Sequence, residues 1–382
     1  MSAILTLNAG SSSIKFGLYA AGRDPVALTD GQVENLGDAS VMTIDDATLE
    51  IGPADHDTAV AAILRGISPF LEGREVEAVG HRVVHGGTEF TRPVRLQDAE
   101  ITQLQALIPL APLHQPHNLS GVRAAQNAFP DAVQVACFDT AFHQGRPFVT
   151  EAFALPRKYY DEGVRRYGFH GLSYDYIASV LRQEHPDLYE GRVVVAHLGN
   201  GASMCAMQGG KSMGSSMGFS ALDGLPMGTR CGQIDPGVLL HLMGQGMGVD
   251  EMTRLLYHNS GLRGLSGVSH DMRTLLASDD PHAREALEYY AFRVRRELGA
   301  MAAVLGGLDA LVFTGGVGEH AAPIRAGIVE GAGFLGLNIN ETANAQNAHQ
   351  VHSGPVPILV IPTDEERVIA RAANSWLRQH HM

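Results

Sequence analysis

The stretch ILTLNAGSSSIKFGLY, residues 4–19, carries the clearest signal for the fold. An apolar run lies on each side of residues 8–13, where small polar residues interrupt both helical and strand periodicity. Such a dense cluster of Gly, Ser and Asn favours a tight turn. The pattern predicts two short strands joined by that turn, a β-hairpin with a polar tip.

A second stretch, VVVAHLGNGASMCAM at residues 193–207, repeats this pattern of strand, Gly/Asn/Ser turn and strand. Helices are predicted over residues 57–71, 173–185, 283–305 and 365–379, with Ser173 as an N-cap and Pro186 as a stop signal. Further strands are predicted over residues 132–138 and 310–313. Strands that alternate with helices indicate an α/β protein with mixed sheets, and the weak repeat indicates two similar halves with a cleft between them.

Length and composition narrow the class of protein further. The 382 residues exceed the roughly 250–300 at which a single core stops growing, so two domains are expected, 1–140 and 141–365, with a helix at 366–382 that packs back on the first. A formal charge of −13 argues against nucleic acid and anionic membranes as partners. Three cysteines without CxxC spacing, no signal-peptide pattern and no apolar run of membrane-spanning length predict a cytoplasmic protein.

The glycine-rich turns are candidate phosphate-binding sites. Backbone N–H groups can converge on an anion at residues 8–13 and 199–203, because no Cβ blocks the approach. Alternation along the second strand returns the side chain of Lys15 to the face of Ser13, within reach of a phosphate at the tip. A single turn of this kind is more often a plain connection. Two matched hairpins and a third glycine cluster, at residues 315–318, favour phosphate binding.

Two other nucleotide signatures match less well. Residues 209–212, GGKS, resemble the end of a P-loop, but Cys205 stands where the leading glycine is required. Residues 316–321, GVGEHA, formally satisfy the dinucleotide fingerprint, yet lack an evident βαβ unit with an acidic ribose ligand. An NAD-dependent enzyme is therefore a distant alternative.

Four charged or titratable residues are candidates for the active site: three lie beside glycines, and one ends an apolar strand. Arg82 in HRVVHGG and Arg230 in LPMGTR can each bind a carboxylate or phosphate through two hydrogen bonds, although a lone Arg is more often a surface ion pair. Asp139 follows an apolar strand and either holds Mg²⁺ or caps a helix. His170 in YGFHG either faces a substrate or is a buried structural histidine.

Seven motifs, in chain order, resemble the acetokinase family, the acetate and propionate kinases of the larger actin, hexokinase and Hsp70-like superfamily. They lie at residues 7–15, 80–87, 138–143, 166–171, 197–201, 227–230 and 313–319. The resemblance implies two ribonuclease-H-like domains with mixed sheets flanked by helices and the active site in the interdomain cleft. It also implies a homodimer that transfers the γ-phosphoryl group of ATP directly to acetate, giving acetyl phosphate and ADP, with Mg²⁺, or Mn²⁺ as an alternative.

The resemblance also assigns roles to individual residues of this chain. The implied catalytic residues are Arg82, Asp139, His170 and Arg230. The substrate-binding residues are Arg82, Val84, Leu113, Phe169 and Ala221. The ATP-binding residues are Lys15, His197, Leu198, Gly199, Asn200, Gly201, Asp271, Met272, Arg273, Gly316, Val317, Gly318 and His320. The metal-binding residues are Asn8, Asp139 and Glu365.

Some positions depart from the family pattern. Ala221 stands where a proline is usual, which makes the substrate pocket roomier and suits propionate as well. Met272 and His320 replace a usual Phe and Asn, so the nucleotide preference stays open. The alternatives are a propionate- or butyrate-type carboxylate kinase, a sugar kinase, and a non-catalytic nucleotide-binding regulatory protein of the same superfamily. The short apolar pocket residues count against a sugar, and the retained charged residues count against a regulatory protein.

Overall fold

The computed structural model describes residues 2–380, which divide into two compact units. The first unit comprises the chain up to Phe142 together with the C-terminal segment from Asp364, and the second is His143–Thr363. Each unit is built around one mixed β-sheet with helices.

The sheet of the first unit has eight strands in the order β5-β4-β3-β2-β1-β6-β8-β7. They are β1 (Ser2–Ala9), β2 (Ser13–Ala20), β3 (Val26–Glu34), β4 (Gly37–Ile44), β5 (Ala47–Ala54), β6 (Glu75–Val83), β7 (Val94–Arg95) and β8 (Val133–Phe138). Strands β1–β5 form an antiparallel meander, whereas β6 runs parallel to β1 and β8 parallel to β6. The hairpin predicted for residues 4–19 is confirmed as β1 and β2.

Helices cover both faces of this sheet. They are α1 (His56–Ile67), α2 (Asp98–Ala106), α3 (Gln115–Ala128) and the C-terminal helix (Glu365–His380), with short 3₁₀ turns at Ser68–Phe70 and Ile108–Leu110. Because side chains alternate along a strand, Leu5 packs in the core that includes residues of α1, while Ile4 packs against Ala370 and Ala373 of the C-terminal helix. The C-terminal helix thereby brings its first residue, Glu365, to this sheet.

The sheet of the second unit has five strands in the order β11-β10-β9-β12-β13. They are β9 (Arg192–Leu198), β10 (Ala202–Gln208), β11 (Lys211–Ser215), β12 (Ala310–Thr314) and β13 (Ile358–Val360). The first three are antiparallel, and β12 and β13 continue in parallel from β9. The order β3-β2-β1-β6-β8 of the first unit is the same arrangement, so the weak repeat in the sequence corresponds to a repeated sheet topology. The prediction of an α/β protein with mixed sheets is confirmed.

The second unit has twelve helices among its described residues. They are α4 (Phe148–Glu151), α5 (Arg157–Asp161), α6 (Gly171–Glu184), α7 (Pro186–Glu190), α8 (Pro236–Gly244), α9 (Val249–His258), α10 (Gly261–Ser266), α11 (Met272–Leu276), α12 (Pro281–Leu305), α13 (Gly315–His320), α14 (Ala322–Val329) and α15 (Glu341–Ala345). The long helix predicted for residues 283–305 is α12. Asp280 caps its first turn, Pro281 suits the first helical position, and Gly306 in the left-handed conformation ends it.

The start of α6 differs from its prediction. The residue before the helix is His170, whose φ of 57° places it in the left-handed region, and the helix begins at Gly171. Ser173 therefore lies inside the first turn, where its hydroxyl is hydrogen-bonded to His197, so the prediction of Ser173 as N-cap is wrong. The predicted end before Pro186 is confirmed. Among the described residues, no helix combines the length and apolar character needed to cross a membrane.

Candidate active site

Arg82 and Asp139 form a bidentate ion pair at one edge of the first sheet. Arg82 lies next to the end of β6 and Asp139 follows β8, and adjacent parallel strands present their carboxyl ends at the same edge. Nε of Arg82 donates to Oδ1 of Asp139 at 2.9 Å and Nη2 donates to Oδ2 at 2.6 Å. The Asp139 side chain is 1% exposed and that of Arg82 is 21% exposed, so the guanidinium covers the carboxylate and keeps an accessible edge.

Three more predicted residues lie at the same edge. Asn8, near the end of β1, accepts a hydrogen bond from Nη1 of Arg82 at 3.2 Å. Glu365, the first residue of the C-terminal helix, has a carboxylate oxygen 3.7 Å from Nε of Arg82. Lys15 is the cross-strand partner of Asn8, so both side chains project from the same face of the hairpin. The first unit thus brings together residues from four separate stretches of the sequence.

Burial and neighbouring charges shift the pKa values of this cluster. Burial raises the pKa of Glu365 to about 7, the positive charge of Arg82 opposes that shift, and the carboxylate of Asp139 reinforces it. Burial also disfavours the charged form of Arg82, but Asp139 and Glu365 outweigh burial and hold its pKa above the ordinary range. Arg82 is therefore a permanent cation that faces two carboxyl groups.

Buried amides hold the segment after β6 in place. Asn118 on α3 accepts a hydrogen bond from the Val84 N–H at 2.9 Å and donates to the Ala9 carbonyl at 2.6 Å. Gln115 binds both the N–H and the carbonyl of His85. These contacts connect the ends of β1 and β6, the strands that carry Asn8 and Arg82. Nothing in a single sequence distinguishes these amides from surface ones, so their role was not predicted.

In the second unit, the side chains of His170 and Arg230, both predicted to be catalytic, end beside the β9–β10 turn. A Cβ placed on Gly201 would lie 3.3 Å from Nε2 of His170 and 3.8 Å from Nη1 of Arg230. The absence of a side chain at Gly201 therefore leaves room at the point where both groups end. The turn is closed by a hydrogen bond of 3.0 Å from the Gly199 N–H to the Gly201 carbonyl. The Asn200 carbonyl accepts a hydrogen bond from the Gly228 N–H.

A backbone carbonyl and a methionine sulfur hold the guanidinium of Arg230 in position. Its Nη1 donates to the Ala221 carbonyl at 3.2 Å and lies 3.5 Å from the sulfur of Met227. Ala221, predicted for the substrate pocket, thus also supplies a backbone acceptor for Arg230. Phe169, predicted for the same pocket, is buried beside His170 in the chain.

Hydroxyl groups orient the two histidines. The rings of His170 and His197 are stacked, with centroids 4.3 Å apart and planes inclined by 25°. Nδ1 of His170 is hydrogen-bonded to the Ser203 hydroxyl at 2.9 Å, and Nδ1 of His197 to the Ser173 hydroxyl at 2.8 Å. Tyr174 is hydrogen-bonded in turn to Ser203. A hydroxyl can donate or accept, and either arrangement fixes the ring so that the Nε2 edge of His170 points to the glycine turn.

A buried histidine and arginine support the backbone before His170. Nε2 of His143 lies 2.9 Å from the Phe169 carbonyl, and Arg146 donates to the Tyr167 carbonyl at 3.0 Å. Burial, and secondarily the charge of Arg146, lower the pKa of His143 to about 3, so its imidazole is neutral and Nε2–H donates. His143 belongs to a motif quoted from the sequence, but its supporting role was not predicted.

The residues predicted for adenosine lie in two segments of the second unit. Asp271 caps α11 and pairs with the exposed Arg273 at 2.6 Å, which holds the pKa of Asp271 below its usual range, while Met272 is buried. Gly316, Val317, Gly318 and His320 all lie in α13. The His320 ring is 75% exposed.

The turn from β12 into α13 depends on Gly315, which belongs to the predicted glycine cluster, and on Glu319, for which no role was predicted. Gly315 has a φ of 76°, and a Cβ there would lie 2.8 Å from the Leu198 carbonyl oxygen. Glu319 accepts hydrogen bonds from the Gly315 N–H at 2.8 Å and the Thr363 N–H at 3.2 Å. Gly315, which directly precedes the predicted ATP-binding residues 316–318, thus lies close to Leu198, which is also predicted to bind ATP.

Known proteins resemble this chain along nearly its whole length. The profile of the acetokinase family matches residues 3–371. The chain is 50% identical to the acetate kinase of Methylocella silvestris over 98% of both proteins, and 51% identical to that of Rhodopseudomonas palustris over 96% of both. Among solved structures, an acetate kinase from Porphyromonas gingivalis superposes with a TM-score of 0.88 at 37% identity, covering 99% of this chain and 100% of that one. A propionate kinase from Francisella tularensis gives 0.91 at 37% identity, covering 98% and 100%.

Two mixed sheets of the same strand order, each with a glycine hairpin, together with the matches above identify a phosphotransferase. With the matches above, the chain belongs to the acetokinase family. The predicted fold class of two mixed sheets flanked by helices is confirmed, and so is the prediction of an enzyme that uses a carboxyl group as phosphoryl acceptor. The roles assigned to single residues stay predictions.

Proposed function

We propose that the protein transfers the γ-phosphoryl group of ATP reversibly to acetate, giving acetyl phosphate and ADP. The observation that carries this proposal is the approach of His170 and Arg230 to Gly201 in the second unit. Two side-chain donors beside an open glycine turn suit the oxygens of a phosphoryl group, whose transfer depends on positioning and charge neutralisation more than on covalent help.

The proposed roles in the second unit follow from this geometry. Backbone groups of residues 199–201, with His197, bind the phosphate chain. Arg230 and His170 stabilise the negative charge that spreads over the transferring group, and the hydrogen bonds to Ala221 and Ser203 keep them in position. The segments 271–273 and 316–318 and His320 are assigned to adenosine by family resemblance.

In the first unit, Arg82 is assigned to the carboxylate of the acceptor. That carboxylate is ionised at neutral pH, so the reaction needs no general base. Val84 directly follows β6 and is buried, and with the half-buried Leu113 it is proposed to contact the methyl group. Phe169 and Ala221 are proposed for the same apolar contact on the ground of family resemblance.

The residues proposed for the metal fit Mg²⁺. Asn8, Asp139 and Glu365 supply only oxygen donors, which hard cations prefer, and Mn²⁺ accepts the same donors. Both carboxylate oxygens of Asp139 accept hydrogen bonds from Arg82. We therefore expect Asp139 to contact the ion through a bridging water molecule. When bound, Mg²⁺ neutralises charge on the phosphate oxygens. Asn8, Asp139 and Glu365 also contact Arg82 and hold its guanidinium in place.

A second candidate substrate is propionate. Ala221 makes the proposed pocket larger than a proline would, and one similar solved structure is a propionate kinase. The test compares acetate, propionate and butyrate as substrates in parallel assays of the purified protein with ATP and Mg²⁺. In each assay the acyl phosphate is trapped with hydroxylamine. We expect a strong signal with acetate, a weaker one with propionate and little with butyrate. ATP binding without any hydroxamate would overturn the proposal in favour of a regulatory protein.

We further propose that the protein is a homodimer. No residue of α8 is buried, and its apolar residues Leu240 and Met243 are 70% and 53% exposed. The neighbouring groove is lined by Ile234, Leu265 and Tyr289. An apolar surface of this kind marks a protein–protein contact. Leu240→Glu is expected to shift the mass measured by light scattering from dimer to monomer. Val26→Glu, at another exposed apolar residue, is the control and is expected to leave the mass unchanged.

A cytoplasmic location stays a prediction.

A further inference from the structure

One group of His and Glu side chains, residue types that bind metal ions, lies at the far end of α6 from His170. Nε2 of His185 and Nε2 of His349 form a hydrogen bond of 3.0 Å, which a bound ion would replace, and their rings are nearly parallel, at 12°. With a carboxylate oxygen of Glu184, the three ligand atoms all lie within 4.8 Å of one another. The fourteen residues of α6 span about 20 Å, so this group is separate from the proposed active site.

The backbone at all three positions is fixed. Glu184 is the last residue of α6, and the His185 N–H donates to the Leu181 carbonyl at 2.8 Å. The carbonyl of His349 accepts from the Val360 N–H of β13 at 2.9 Å. Ligands held in this way lose little conformational freedom on binding an ion, which favours affinity.

The spacing of the nitrogens fits a single ion. With metal–nitrogen bonds of about 2.0–2.1 Å, two nitrogens 3.0 Å apart subtend an angle of roughly 95° at the metal. That angle matches neighbouring positions of an octahedral set, whereas a tetrahedral set needs a separation of about 3.4 Å. Two imidazoles and one carboxylate favour Zn²⁺, Ni²⁺ or Co²⁺ over Mg²⁺. Glu184 and His349 are exposed, so water can complete the coordination.

We propose that Glu184, His185 and His349 form a binding site for a borderline divalent cation such as Ni²⁺ or Co²⁺. The bound ion ties the C-terminal end of α6 to the segment that precedes β13. It therefore stabilises the second unit, because it binds the folded arrangement of residues that are 164 positions apart in the chain. The site is independent of the Mg²⁺ proposed for the kinase reaction.

The test uses the full chain, stripped of metal with a chelator and returned to metal-free buffer containing excess Mg²⁺. Ni²⁺ is then added as the probe, with binding followed by calorimetry and unfolding by thermal melting. We expect the wild type to bind Ni²⁺ and to melt at a higher temperature. His349→Gln is expected to weaken binding by at least about tenfold and to abolish the melting shift. His282→Gln, which removes another exposed histidine, should behave as wild type.

Three outcomes would overturn the proposal: no Ni²⁺-dependent shift in the wild type, an equal shift in His349→Gln, or loss of Ni²⁺ binding when Mg²⁺ is raised. Glu184→Gln provides a second variant at an exposed helix end, where folding is not at risk, and it should weaken binding several-fold. Kinase activity with Mg²⁺ and ATP is expected to be unchanged in both variants. The result thus stands apart from the proposed function.

Discussion

The hydroxyl of Ser203 lies 2.9 Å from Nδ1 of His170, and Tyr174 is hydrogen-bonded to the same hydroxyl. Both Ser203 and Tyr174 are fully buried. The hydrogen bond orients an imidazole whose other nitrogen faces Gly201, while the stacked ring of His197 covers one side. The position of His170 is therefore set by residues that need not touch the substrate.

Ser203→Ala is expected to lower kcat about tenfold, because loss of one hydrogen bond of about 1.4 kcal/mol lets the His170 ring turn away from the transferring group. Hydroxamate formation at saturating ATP and acetate measures the effect. Tyr174→Phe removes only the outer hydroxyl and should cost less. A wild-type kcat in Ser203→Ala would show that His170 is oriented by other contacts.

Arg230→Ala is expected to lower kcat about 100- to 1,000-fold, as removal of a donor to developing charge commonly does. Arg230→Lys keeps the positive charge but loses the planar fork, so it should recover only part of the rate. Arg263→Ala is the matched control, since Arg263 is exposed on α10. Circular dichroism confirms that each variant is folded. Equal rates in Arg230→Ala and Arg263→Ala would remove Arg230 from the proposed mechanism.

Gly201→Ala is expected to weaken ATP binding at least about tenfold, because the added methyl group occupies the space that the phosphate chain needs. It would lie 3.3 Å from Nε2 of His170, close enough to crowd that ring as well. The KM for ATP and direct nucleotide titration measure the effect. Gly248→Ala is the control, since a Cβ there meets no atom within 4 Å. The prediction fails if both variants bind ATP equally well.

His143 is expected to make the stability of the protein depend on pH. Its pKa is about 3 in the folded chain, against an ordinary 6.5, because it is buried. Below pH 6.5 the unfolded chain therefore binds a proton that the folded chain does not, and stability falls as pH falls towards 3. At pH 5 this loss is about 2 kcal/mol, and it becomes negligible by about pH 7.5.

Urea unfolding of the wild type and of His143→Gln at pH 5 and pH 7.5 tests this prediction. Buried His81 and His85 contribute the same pH dependence to both proteins, so the comparison isolates His143. The variant should lose about 2 kcal/mol less than the wild type between the two pH values. Parallel losses in both proteins would mean that His143 is not the neutral, buried donor described above.

Local sequence signals predicted the regular elements well and individual side-chain roles less well. The hairpins at residues 4–19 and 193–207 were predictable because turn residues and apolar runs act over a few positions. The start of α6 was not. Ser173 is a good N-cap by type, but the left-handed His170 before it is supported by His143 and Ser203, which lie far away in the sequence. Buried amides such as Asn118 look like surface residues in a single sequence.

Local sequence patterns were enough to locate the strands and glycine turns, and the ordered motifs indicated the acetokinase family. Which side chains meet depends on the tertiary fold. Arg82 and Asp139 are 57 positions apart, and they pair because β6 and β8 are parallel neighbours in register. His170 meets Ser203 because β10 folds back on β9. Such contacts depend on strand order and register, which local propensity does not encode.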